Sequence, residues 1–265
     1  MLFGAEKFCF LTAMQLPPGF TLHILEEAGS TNDICLALAD AGAPDSTVVF
    51  THHQTAGKGR QGREWFSRPG SSLTFSLLLR LSTEELGFLS RFSLLGCSAM
   101  VDVLAQYYQL QGLIKWPNDV IVHGKKICGV LMEALWQGQA LQAVILGMGV
   151  NLARDAYPPE AALRYPATSL EAETGFAPQP LELLEKLLIM LDQTRKNLVT
   201  DVFIRAKNAQ LAFRGEWVTL EENTGAPRRV RLLEIDQDGG LSVEAEDGSR
   251  SKVYAGELSD GSSSS

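Results

Sequence analysis

The sequence predicts helices packed on a largely antiparallel β-sheet, followed by a small β-barrel. Three observations carry this expectation. Across residues 113–150, short apolar runs alternate with tight turns at His123-Gly124 and Gln137-Gly138, as in successive antiparallel hairpins. Two stretches, one after Ser82 and one after Pro180, instead carry apolar residues at helical intervals. From about Phe213 only short strands and the turns Asp238-Gly239-Gly240 and Asp247-Gly248 remain. So short a segment buries little core of its own and suits a barrel leaning on a larger domain.

In chain order, residues 1–28 read as an N-terminal extension, broken by Pro17-Pro18-Gly19. Ser30 is placed as the N-cap of a short helix that begins at Thr31 and stops at Gly42, with Ile34, Leu38 and Ala41 on one face. Residues 47–51 and 73–81 read as buried strands, and 53–72 between them as one long polar loop. Loops of that length in compact domains are usually functional or disordered. Ser82 and Glu85 have capping-box spacing and open a long core-facing helix that runs to about Gln109. Strands over 113–115, 120–122, 127–136 and 141–150 follow. Pro178 and Pro180 then precede Leu181, Leu184, Leu187, Leu188 and Leu191 on a second amphipathic helix. The expected domains are 29–210 and 211–258, with 259–265 a disordered tail.

Composition narrows the class. With 265 residues, 45% of them hydrophobic and 20% charged, the chain can bury a sizeable core. A net charge of −8 disfavours nucleic acid as a partner. Cys9, Cys35, Cys97 and Cys128 are scattered, with no CxxC pair, which fits a reduced cytoplasmic protein and no disulfide framework. The start lacks a basic leader, and no apolar run approaches the ~20 residues that span a bilayer, so neither a signal peptide nor a membrane partner is expected.

The most informative stretch is Gln54-Thr55-Ala56-Gly57-Lys58-Gly59-Arg60-Gln61-Gly62-Arg63-Glu64-Trp65. Gly57-x-Gly59-x-x-Gly62 has the spacing of a dinucleotide fingerprint, but that fingerprint must open a helix whose N-terminus takes the pyrophosphate. Here Trp65, Phe66 and Pro69-Gly70 follow, which argues against a nicotinamide-dependent oxidoreductase. What remains is cations among glycines, where backbone amides approach an anion closely and guanidinium forks fit its oxygens. A solvated basic loop has the same look. Lys115-Trp116-Pro117-Asn118-Asp119 presents two hard oxygen ligands on a rigid turn, suited to Mg²⁺ beside a phosphate or to an ordinary Asx turn. In Lys125-Lys126-Ile127-Cys128-Gly129-Val130-Leu131-Met132-Glu133, lysine stands where a strand turns apolar, a place usually given to surface lysines. Gly147-Met148-Gly149-Val150-Asn151 ends a nearly all-apolar strand with glycine gaps, which mark close approach of a ligand or of backbone.

Together with Ser30-Thr31-Asn32, these motifs stand in the order found in biotin protein ligases, and the chain resembles that family. The motifs cover 30–151, and the β-rich end resembles the family's C-terminal domain. The resemblance implies an α+β fold, with a mixed, largely antiparallel sheet and helices like those of class II aminoacyl-tRNA synthetases, plus an SH3-like β-barrel. It implies an ATP-dependent ligase with Mg²⁺ as cofactor, which activates biotin as biotinoyl-adenylate with release of pyrophosphate. The acyl group then passes to one lysine of a biotin carboxyl carrier protein or domain.

Carried over residue by residue, Ser30, Thr31, Asn32, Gln54, Gly57, Gly59 and Gly129 would contact biotin, and Arg60 and Lys126 would reach it as the catalytic groups. Arg60, Arg63, Trp65, Asn118, Asp119, Lys126 and Asn151 would bind ATP, with Asn118 and Asp119 on Mg²⁺ directly or through phosphate or water. No enzyme nucleophile is needed, so the cysteines can be structural. Lys58 and Gln61 stand where the family loop often has arginine; Lys58 loses the bidentate fork and Gln61 the charge, and activity is expected to survive both. The loop from Gly57 to Trp65 is expected to be flexible without ligand and to close over the adenylate. With so short a start, a monofunctional ligase without a DNA-binding domain is expected, as monomer or homodimer. The rivals are a lipoate–protein ligase, which resembles this fold and chemistry, and a non-catalytic biotin-responsive regulator.

Overall fold

The computed structural model describes residues 16–159, 163, 165–222 and 225–259. Its main sheet has seven strands in the order β1-β2-β5-β9-β8-β7-β6. These are β1 (Thr21–Ala28), β2 (Thr47–Gln54), β5 (Ser72–Leu79), β6 (Gly112–Lys115), β7 (Asp119–Val122), β8 (Lys125–Gln137) and β9 (Ala140–Asn151). Every neighbouring pair is antiparallel except β1 with β2, which are parallel and joined by helix α1 (Thr31–Asp40). The sheet is therefore mixed, as expected. Between β2 and β5 the polar loop folds back on itself as a two-residue ladder, β3 (Gly57–Lys58) with β4 (Glu64–Trp65), around a 3₁₀ turn at Arg60–Gly62. No helix follows Gly62, so the dinucleotide-fold reading fails on structure as it did on sequence.

One face of the sheet is covered by α2 (Arg91–Tyr108), whose middle is buried on nearly all sides. Behind it lies α4 (Pro180–Arg195), with short α3 (Leu170–Thr174) before it and α5 (Asp201–Ala209) after it. Both short helices carry readable N-caps: Ser169 accepts from the Ala172 amide, and Thr200 from that of Phe203. The other face is covered by α1, but only in part. Alternate residues of a strand share a face, and on β9 the residues under α1 are apolar, Ala143 and Ile145. At and beyond the N-terminus of α1 the same face continues as Gly147, Gly149 and Asn151, where no helix covers it and a cavity opens.

The C-terminal unit is a five-stranded antiparallel sheet, β13-β12-β11-β10-β14, built from β10 (Trp217–Glu221), β11 (Arg228–Ile235), β12 (Leu241–Ala245), β13 (Arg250–Val253) and β14 (Glu257–Ser259). It is pinned to the main domain by Arg91, which is 1% exposed. The Arg91 guanidinium donates to Gln237 O at 2.9 Å through Nε and to Leu198 O at 2.6 Å through Nη1.

Three expectations need correction. Residues 21–28 are not extension but the parallel edge strand, hidden because an edge strand with Glu26 and Glu27 outward shows weak alternation. Residues 1–15 lie outside the described residues. Ser82 and Glu85 do form a reciprocal box, Ser82 N to Glu85 Oε2 at 2.8 Å and Glu85 N to Ser82 Oγ at 3.4 Å, yet it opens only the 3₁₀ turn Glu85–Phe88. Gly87 weakens helix there, and Arg195 clamps the Glu85 carboxylate at 2.8 Å, so α2 begins at Arg91. Ser259 ends β14 and is not tail; 260–265 lie outside the described residues.

Candidate active site

The bare floor of the sheet opens into a cavity of about 480 Å³. Of the residues singled out from sequence, Ser30, Thr31, Asn32, Gln54, Gly59, Arg60, Arg63, Trp65, Asn118, Asp119, Lys126, Gly129 and Asn151 all line it. Gly57 does not. Its requirement is steric: a Cβ there would lie 2.6 Å from Gln54 Nε2 and 2.5 Å from Trp65 O, so glycine lets the β3–β4 ladder close.

At one end the polar groups are neutral. Ser30 is the N-cap residue of α1, but its side chain caps no amide, so the hydroxyl stays with the cavity. Gln54 Oε1 accepts from Thr31 N at 2.9 Å and Thr31 Oγ1 at 3.1 Å. The Ser76 hydroxyl bridges its neighbours, 2.7 Å from Thr31 Oγ1 and 2.5 Å from Asn32 Oδ1. Asn32 Nδ2 donates to Glu133 Oε2 at 2.7 Å, and the amide fits only because Gly147 lacks a Cβ, which would sit 2.1 Å from Asn32 Oδ1. Asn32 is thus spent on the wall, holding α1 to β5 and β8.

At the other end the groups are charged. Lys126 reaches the cavity because the β7–β8 ladder skips a residue: Val120 pairs with Cys128 and Ile121 with Lys126, leaving Ile127 as a bulge. A bulge re-aims the adjacent side chain, and the Lys126 backbone is held by Pro166 O and Thr168 N at 2.7 and 2.8 Å. Lys126 Nζ lies 2.7 Å from Asp119 Oδ1. That approach is a charge contact without aligned hydrogen-bond geometry, so the buried Asp119 Oδ1 still lacks a hydrogen-bonding partner. Asn118 anchors its amide on Val130 O at 2.7 Å and turns Oδ1 to Arg60 Nη1 at 3.2 Å. Burial pulls the Arg60 guanidinium below its ordinary pKa, against Glu257 and Asp119, which hold it up. Asn151 spends its amide on the carbonyls of Thr168, at 2.9 Å, and Lys126, at 3.4 Å, and so steadies the lysine's backbone.

Trp65 lies flat over the glycine floor. A Cβ on Gly149 would be 2.3 Å from its Cε2, and one on Gly129 3.1 Å from its Cζ3. Lys126 Nζ stands 5.7 Å from the ring centre. The cavity's cations, hard oxygens and stacking face therefore share one floor, and Arg60, Lys126 and Asn118 all meet there.

Two contributions were not anticipated. The C-terminal sheet supplies Glu221, Glu257, Leu258 and Ser259 to the cavity wall. Arg63 pairs with Glu257, and Arg60 Nη1 donates to Gly256 O at 3.5 Å, so the glycine loop is tied to that domain. The segment after β9 adds Tyr157 and Tyr165, and Lys115 sits below it. No local pattern announces Glu257, which becomes a site residue only through tertiary packing. Cys35, Cys97 and Cys128 are free and buried, and burial pushes their thiols up, Cys35 to about 12, which makes them poor nucleophiles. Cys9 lies outside the described residues.

A mixed sheet whose cavity floor gathers cations and hard oxygens beside a neutral polar end defines an α+β domain with a binding site suited to an anionic small molecule. Residues 28–151 match the biotin/lipoate A/B protein ligase family. The bifunctional ligase/repressor BirA of Bacillus spizizenii is 30% identical over 240 residues, covering 86% of this chain and 70% of that protein. The biotin–[acetyl-CoA-carboxylase] ligase of Paracoccus denitrificans is 36% identical over 198 residues, covering 71% of this chain and 79% of that one. Among solved structures, the biotin protein ligase from Aquifex aeolicus in complex with biotin and ATP aligns with a TM-score of 0.75 at 28% identity, over 90% of this chain and 97% of that one. The chain belongs to the biotin/lipoate A/B protein ligase family. Within it the chain falls with the biotin protein ligases, and it is a ligase enzyme.

Proposed function

We propose that the cavity joins biotin to ATP and then hands the biotinoyl group to a lysine of a carboxylase's biotin carboxyl carrier domain. The single observation that carries this reading is the gathering of Arg60, Lys126, Asn118 and Asp119 on one floor beside the neutral Ser30–Thr31–Gln54 end. Two anions repel, so joining them needs positive charge set in advance where negative charge accumulates. In the first step a biotin carboxylate oxygen bonds to the α-phosphorus of ATP, and the bond from that phosphorus to the β-phosphate oxygen breaks, its electron pair leaving on pyrophosphate. In the second, the carrier amine bonds to the acyl carbon, the acyl–oxygen bond breaks, AMP leaves with the pair, and the amine proton passes to solvent.

Ser30, Thr31 and Gln54 suit the ureido ring of biotin, which offers both donors and an acceptor. Lys126, aimed by its bulge, serves the carboxylate and the α-phosphate, and Arg60 and Arg63 the phosphates. Trp65 offers its face to adenine. Asn118 Oδ1 and Asp119 Oδ1, held beside Arg60 and Lys126, are hard oxygens that would suit Mg²⁺, which binds few protein oxygens and shares the rest with phosphate and water. Among the described residues no cluster of three or more His, Cys, Asp or Glu is placed to hold a metal ion. When bound, the ion neutralises phosphate charge. We place the reaction in the cytoplasm, with the protein as monomer or homodimer and no nucleic-acid partner.

The test is to mix the protein with ATP, Mg²⁺, biotin and a carrier domain and weigh the carrier. One biotinyl group gained, on one lysine, and only with all components present, is the expected result. An unchanged carrier mass overturns the reading, and a preference for lipoate in competition moves it to the other branch of the family.

A further inference from the structure

The backbone of Lys126 has an unusual neighbour. On one side it pairs with Ile121 of β7; on the other, where β9 would continue, the β8–β9 ladder ends at Cys128 and Val150, two residues short. Its place is taken by the strap 165–168, which leads into α3 and makes a single parallel bridge, Ala167 to Lys126. Lys126 N donates to Pro166 O at 2.7 Å, and Thr168 N donates to Lys126 O at 2.8 Å. A lone bridge has no further rungs beside it, so its position depends on whatever holds the strap. Asn151 donates to the Thr168 carbonyl at 2.9 Å. Thr168 is only 2% exposed, and its hydroxyl donates to Glu173 Oε1 at 2.5 Å. The other oxygen of that carboxylate, Oε2, lies 2.7 Å from Nδ1 of His123, which stands in the β7–β8 turn with a left-handed φ of 48°. The Glu173 side chain is itself 12% exposed. One largely buried carboxylate therefore joins the strap beside Lys126 to the hairpin turn that precedes it.

We propose that Glu173 is a positioning residue for Lys126, clamping the strap and the hairpin turn so that the lysine's backbone stays fixed during the reaction. This rests on the reading in which Lys126 serves the reacting oxygens. A lysine stem is flexible, so the Nζ is placed no better than the backbone that carries it. Bonds to an ionised carboxylate are short and strong, and its two oxygens can accept from two segments at once. The His123 ring can donate from Nδ1 whether it is protonated or in one neutral tautomer, so the clamp does not require a charged histidine. Glu173 touches neither substrate nor the Lys126 side chain; it acts through Thr168 and the turn. With the carboxylate removed, the strap loses one of its two side-chain anchors and the bridge to Lys126 loosens. A misplacement of about 1 Å at a reacting centre costs on the order of 10²-fold in rate.

The experiment measures biotin- and ATP-dependent pyrophosphate release by the wild type, Glu173→Leu, Glu173→Gln, Thr168→Val and the Glu173→Leu/Thr168→Val pair. Tm and biotin affinity by calorimetry are taken for each, and rates are read well below the lowest Tm. Glu173→Leu and Thr168→Val are each expected to lower kcat about 10- to 100-fold, with the KM for ATP and the biotin affinity within about twofold of wild type. The pair should be no slower than the worse single variant, because both changes cut the same link. Glu173→Gln still offers Thr168 an acceptor and should return kcat to within about threefold of wild type. If Glu173→Leu folds poorly, Thr168→Val, nearly equal in size to the residue it replaces, supplies the same comparison. Unchanged kcat in the folded variants overturns the inference. So does a kcat loss matched by equal losses in ATP and biotin binding, which marks a general structural role, and so does a glutamine variant as slow as the leucine one. Absence of pyrophosphate release in the wild type strikes the ligase reading itself, so the two failures are distinct.

Discussion

Gly149→Ala is the substitution whose effect the structure fixes most closely. The added methyl would lie 2.3, 2.5 and 2.8 Å from Cε2, Cζ2 and Cδ2 of Trp65. Carbon atoms rest at about 3.5–4.0 Å, so the indole must lift off the floor by roughly 1.2–1.7 Å. It cannot slide sideways freely, because Trp65 is paired to Gly57 in the β3–β4 ladder and its ring also abuts Gly129. The open direction is into the cavity, the space the nucleotide needs. Since the ring moves into empty volume, the fold should lose little, about 1 kcal/mol at the low end of overpacking costs. The KM for ATP should rise about 10- to 100-fold, about 1.4–2.7 kcal/mol. Pyrophosphate release as a function of ATP at saturating biotin, alongside biotin affinity measured without ATP, reads this. A KM for ATP within twofold of wild type, in a variant that melts normally, would refute the placement of Trp65 under the adenine.

Gly147→Ala makes the complementary perturbation, since its methyl would strike Asn32 Oδ1 at 2.1 Å; biotin affinity by calorimetry should fall at least tenfold while ATP-dependent parameters move less. Lys126→Ala should cut pyrophosphate release by about 10²–10³ or more with Tm little changed, because it removes the cation at the reacting oxygens and leaves the Asp119 carboxylate facing incoming phosphate. Arg91→Met strips the buried donors from Gln237 and Leu198 carbonyls and should cost about 3 kcal/mol, seen as a Tm fall of roughly 6–12 °C. Lys58→Ala removes a surface pair with Asp33 worth about 0–1 kcal/mol and should leave activity within a few-fold, which a pyrophosphate-release assay checks.

The site was legible where chemistry is dense along the chain. Ser30–Asn32, the glycine loop, Lys115–Asp119 and Gly147–Asn151 each bring unusual residue types together over a few positions, and the sheet gathers them because β8 and β9 pair Gly129 with Gly149 and Leu131 with Gly147. Roles were less legible than membership. Asn32 and Asn151 look like ligand contacts in sequence, yet their amides brace the wall, and Gly57 serves the loop's own closure. The bulge that aims Lys126 is invisible in a run of apolar residues, because it is set by the register with β7. Glu257 and Tyr165 come from segments without local signals and matter only after the domains pack. β1 escaped for a simpler reason: an edge strand with one wet side shows too little alternation to be read.

The central claim is that two anionic small molecules are fused on this glycine floor and the product is kept there until an amine arrives. Native mass spectrometry of the protein after incubation with biotin, ATP and Mg²⁺, with no carrier present, tests it directly. One biotinoyl-adenylate should be retained per chain, with pyrophosphate released in equal amount and neither seen with Lys126→Ala. A protein that binds biotin and ATP side by side and never forms the mixed anhydride would contradict it.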